Sequence, residues 1–141
     1  MSFNIFVSRF RDGGSSTFPA EEIRKRFGPI IVGERRGIWH LGFEEGGSWA
    51  EIHIPTEEFV EGFSVRRPAG YVAFWEIIAG FLKDLDCVLW WPGGGAVMAR
   101  LDVMSHLPDS FIESMGIPWV TTDPEQIRDY VRGRTSSAAG A

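Results

Sequence analysis

Gly93, Gly94 and Gly95 follow Trp90, Trp91 and Pro92 in the stretch CVLWWPGGG. Consecutive glycines let backbone N–H groups approach a phosphate closely. That chemistry also needs a lysine after the glycines, or a G-x-G-x-x-G spacing at a helix start. AVMAR follows instead, and neither pattern is present. The stretch therefore reads as a buried strand closed by a turn. In an alternative reading, Trp91, Gly93, Gly94, Gly95 and His106 line a ligand pocket of a small-molecule-binding domain or an enzyme. Adjacent strand residues point to opposite faces, so Trp90 and Trp91 fill one interior only if both faces of their strand are covered.

A second constellation is His40, Glu51 and His53. Imidazole and carboxylate are metal-ligating groups, and a site needs three or four of them in tight geometry. The solvent face of an antiparallel sheet accounts for the same residues more simply, so no metal and no cofactor is assigned. Cys87 opens an apolar strand and reads as a small buried hydrophobe. No nucleophile elbow and no cysteine–histidine signature is present, so no catalytic residue is assigned. Glu44–Glu45 and Glu57–Glu58 are neighbours in sequence and read as solvated loop residues.

These groups need elements to hold them. Residues 3–10, FNIFVSRF, alternate as a strand with Phe3, Ile5 and Val7 on one face. RDGGSST reads as a loop, and Pro19 to Phe27 as a short helix stopped by Gly28. GIWHLGF-EEGG-SWAEIHIP reads as a hairpin with its loop at 44–47. Its register sets Leu41 against Ala50, Trp39 against Ile52, His40 against Glu51 and Ile38 against His53. His40, Trp49, Glu51, His53 and Ile38 then share the outer face. FSVRRP is a further strand, with Ser64 and Arg66 opposite Phe63 and Val65.

A helix over 69–85 carries the stripe Tyr71, Phe74, Trp75, Ile78, Leu82 and Leu85. Gly80 within it marks a close-packing point. CVLWW is a strand, and AVMAR fits either a strand or a helix start. Pro108 to Met115 is a short helix, PWVTT a last strand, and Asp123 caps a final helix with Pro124 in its first turn. The sum is one α+β domain over 1–133 with a flexible tail at 134–141. It has a five- to six-stranded, largely antiparallel sheet and about four helices, the longest packed on the sheet.

Composition narrows the function. The chain has 141 residues, 44% of them hydrophobic, with 6 Trp and 11 Phe, enough to fill one core. Its formal charge of −5 argues against general nucleic-acid binding. One cysteine excludes an intramolecular disulfide. No stretch reaches the ~20 apolar residues that span a bilayer. No secretory signal is evident. The expected location is the cytoplasm, with no membrane partner.

FSVRRP, the aromatic helix YVAFWEIIAGFL, CVLWWPGGG and SHLPDSFIESMG together resemble small bacterial proteins of the toxin-immunity type, over residues 60–120. The resemblance implies a compact α+β domain that blocks a cognate toxin without catalysis, with an acidic protein often neutralising a basic toxin domain. No functional residue is carried over from it. The residues themselves offer His40, Trp49, Glu51, His53 and Arg66 as a partner-binding face, since Trp and Arg are favoured interface anchors. Homodimerisation through the same face or a strand edge is the third reading.

Overall fold

Alternation fixes the first strand. The computed structural model describes residues 4–42, 50–68 and 70–133. β1 runs Asn4–Arg11 and buries Ile5 and Val7 completely on one face. Asp12 and Gly13, both at positive φ, turn it straight back into β2 (Gly14–Ser15). This two-residue turn suits the twist of paired strands. Next come β3 (Phe18–Pro19), α1 (Glu21–Phe27) and one 3-10 turn over Gly28–Ile30. β4 (Ile31–Arg35) and β5 (Ile38–Leu41) form a hairpin through Arg36 and Gly37. β6 (Ala50–His53), β7 (Phe59–Val60) and β8 (Gly62–Arg66) complete the first half.

α2 (Val72–Leu85) then crosses the sheet and buries Phe74, Trp75, Ile78, Phe81 and Leu82. β9 (Cys87–Trp90) and β10 (Ala96–Met98) pair as a hairpin. A 3-10 helix at Leu101–His106 leads to α3 (Asp109–Met115), β11 (Trp119–Val120) and α4 (Pro124–Val131). The main sheet has the order β11-β10-β9-β1-β8-β6-β5-β4, with β2 beside β1 as a ninth strand. β10 and β11 are parallel, and the other pairs are antiparallel. β3 and β7 make a separate two-stranded ribbon.

The α+β class and the single domain are as expected, but the sheet is larger than five or six strands. The extra strands are short edges and ribbons of two to five residues. Pairs of residues this short carry no readable period. The RDGGSST segment is half hairpin rather than loop. Pro19 lies in β3, and the first helix starts at Glu21. AVMAR begins as a strand. The tail 134–141 and the hairpin tip with Trp49 lie outside the described residues.

Two apolar layers form, one on each side of the sheet. The inner one joins Ile5, Val7, Trp39, Leu41, Ile52, Val65, Cys87 and Leu89 to α1, α2 and α4. The outer one is smaller: Val88, Ala96 and Met98 meet Val103 and Leu107, with Phe111, Ile112 and Met115 of α3 at its margin. Arg100 hydrogen-bonds the Lys83 carbonyl at 3.1 Å and pairs with Asp86, tying the end of β10 to the end of α2. Asp123 caps α4, accepting the Glu125 N–H at 3.1 Å. Tyr130 of α4 stacks on Trp119, centroids 4.4 Å apart, and Trp119 stacks on Trp91.

One close approach tests the β1–β8 register. A Cβ on Gly62 would overlap the Val7 carbonyl oxygen. Gly62→Ala is expected to destabilise the fold by about 1–3 kcal/mol, as overpacking does. Urea unfolding should show a lower midpoint with an unchanged slope.

Candidate functional site

Pleating decides which side chains meet on the outer face. Gly33, His40, Glu51, Arg66 and Asn4 fall in one row across β4, β5, β6, β8 and β1. The next row starts with Arg35 and Ile38, passes His53 and Ser64, and ends at Phe6 and Trp90. The hairpin register at Ile38–His53, Trp39–Ile52, His40–Glu51 and Leu41–Ala50 is the one the alternation demands. Trp39, Leu41, Ala50 and Ile52 are buried on the inner side.

The two halves of the outer face differ. Around β9 and β10 it is covered by the 3-10 helix and α3. Phe6 marks the border, stacked on Trp90 with centroids 4.4 Å apart. Trp90 also meets Phe111 edge-on and donates from Nε1 to Ser8 Oγ at 3.1 Å. Beyond Phe6, the outer apolar cluster does not extend over β8, β6 and β5 among the described residues. Asn4, Ile38, Glu51, His53, Ser64 and Arg66 there line a concavity of about 240 Å³.

Glu51 is the hub of this half. Its Oε2 lies 3.4 Å from His40 Nε2, and its Oε1 lies 3.9 Å from an Arg66 guanidinium nitrogen. The Arg66 side chain is 53% exposed, against 22% for Glu51. His40, Glu51, His53 and Arg66 are thus brought onto one patch, as the sequence suggests. Trp49 lies outside the described residues. Asn4 and Ser64 were missed, because β1 and β8 are far apart in sequence and no local pattern announces their pairing. No group of three or more His, Cys, Asp and Glu side chains is placed to hold a metal ion among the described residues.

The alternative pocket does not assemble. Trp91 is 4% exposed and packs inward, while Trp90 is half-buried on the other side. The glycines serve these rings: a Cβ on Gly94 would overlap the Trp91 indole, and one on Gly95 would come within 2.8 Å of Trp119. Gly93 completes the turn, which the Gly94 N–H closes on the Trp91 carbonyl at 3.2 Å. His106 sits at the opposite end of β1, about 20 Å away along the strand at ~3.3 Å per residue. Its Nδ1 accepts the Asp12 N–H at 3.2 Å, and its carbonyl accepts the Gly13 N–H at 3.0 Å. His106 therefore clasps the β1–β2 turn.

Cys87 is fully buried, and that burial pushes its thiol up to about 12, with Arg9 and Arg26 pulling weakly the other way. Among the described residues no helix is long and apolar enough to cross a membrane. No family model, curated protein or solved structure matches the chain.

Two outcomes are expected. A thiol reagent at mildly alkaline pH should label native Cys87 about 100-fold or more slowly than the unfolded chain, because the thiolate is the reactive form. Arg66→Ala should change unfolding free energy by less than about 1 kcal/mol, since its side chain is 53% exposed and such pairs contribute little. Denaturant titration checks the second.

Proposed function

We propose that the chain is a protein-binding domain of the immunity type, which neutralises a cognate toxin by occluding its surface. The observation that carries this reading is the half of the outer sheet face over which no second apolar layer forms among the described residues. It presents His40, Glu51, His53 and Arg66 on paired strands. Groups of this kind, held on regular elements, are available for recognition. Glu57 and Glu58, just before β7, and Glu61, between β7 and β8, add acidic charge that steers a basic partner over distance. Because the contact residues sit on strands, binding needs little backbone change.

The product of the neighbouring gene is the partner to test by calorimetry. His53→Glu and Arg66→Glu should each weaken Kd by about 10-fold or more. Lys25→Glu, exposed on α1 and away from this face, should stay within about twofold. A neighbour product that does not bind, or that binds all three variants equally, removes the reading.

A further inference from the structure

The concavity on this half-face holds donors that no partner in the chain engages among the described residues. Asn4 brings an amide, His53 an imidazole, Ser64 a hydroxyl and Arg66 a guanidinium. Its one carboxylate, Glu51, is already bracketed by His40 and Arg66 on its two oxygens. Among the described residues, the side chains of Asn4, His53 and Ser64 make no hydrogen bond or ion pair. Arg66 has five N–H donors, and only one of its nitrogens is held, by a long 3.9 Å contact. Arg35, in the second row beside Ile38, adds a further cation. With histidines counted neutral, Arg35 and Arg66 against Glu51 give the two described rows a formal charge of +1, on a chain whose formal charge is −5.

We propose that this concavity is a recognition pocket for a carboxylate, carried by an extended acidic segment of the protein partner. The proposal rests on the open-face reading above and names the chemistry of the contact. A planar carboxylate matches the guanidinium fork and can be held by two parallel N–H···O bonds. The Asn4 amide and Ser64 hydroxyl donate to the remaining lone pairs. About 240 Å³ admits one acidic side chain with its neighbouring backbone. A nucleic acid is disfavoured, because its closely spaced phosphates would meet the acidic remainder of the chain. The same net charge attracts a basic surface from afar. A partner that is basic overall, with an acidic contact segment, meets both demands.

The test follows backbone amide shifts in the full chain with three probes at millimolar concentration. They are a capped hexapeptide alternating Glu and Ser, the matching Lys and Ser peptide, and oligothymidylate. The Glu peptide should shift the amides of Asn4, His53, Ser64 and Arg66. Arg66→Gln should weaken it about fivefold or more. Glu51→Gln, which removes the competing carboxylate, should tighten it about two- to threefold. Arg66→Gln alters an exposed side chain, and its own spectrum reports whether it folds. The proposal falls if the Lys peptide or oligothymidylate shifts these amides instead, or if the Glu peptide shifts none. Suppose the neighbour's product loses affinity on Arg66→Glu but only the Lys peptide seats here. The binding face then stands and its preference for a carboxylate is wrong. If no probe seats here and the partner ignores the face, both fall.

Discussion

β9 has to bury both of its faces. Cys87 and Leu89 enter the inner layer and Val88 the outer one, all at 0% exposure. Residues this apolar on both sides of a strand need cover on both sides of the sheet. α2 supplies it inside, and the 3-10 helix with α3 supplies it outside. The second cover exists because of β9, and its reach ends where the apolar residues end. Trp90 makes that edge, one side against α3 and the other against Phe6. The same demand explains the turn that follows. Trp91 can turn inward only if the backbone of Gly94 and Gly95 passes close to its ring and to that of Trp119.

The rest of the sheet follows the opposite rule. On β5, β6 and β8 the inner positions include Trp39, Leu41, Ile52 and Val65, while the outer ones are polar, apart from Ile38 and Gly62. Alternation of this kind calls for one cover, and the inner helices provide it. The outer face is left as two rows of side chains at fixed strand spacing. Among the described residues, no second apolar layer forms over the β8, β6 and β5 part of these rows.

How much of this the chain discloses depends on the range of each signal. The hairpin around His40 and Glu51 was legible down to the residue pair, because strict alternation leaves one register that segregates the faces. The Asp123 cap and the stripe of α2 were legible for the same reason, each being local. β4 was not, since IVGER carries a glycine and two charges along a sheet edge. β2, β3 and β7 are two residues each, too short for any period. The Asp12–Gly13 pair is a strong hairpin signal, yet the polar RDGGSST around it hides the strand beyond. Asn4 and Ser64 reach the site only through the pairing of β1 with β8, and that contact leaves no trace in either segment alone.

Charge shows the same separation of scales. The net −5 belongs to the whole surface and governs approach over distances comparable with the screening length, about 8 Å at physiological salt. What happens at contact depends on the few groups within hydrogen-bonding reach. On the open half-face those groups are Arg66, Asn4, Ser64 and His53 around a Glu51 that is already engaged. The chain as a whole is acidic, while the concavity offers unengaged donors, and the two act at different distances. Charge spread over a whole surface changes encounter rates, and the groups at the contact decide which surface docks. A face that used one sign throughout would attract as well but select less, because every basic patch would satisfy it equally.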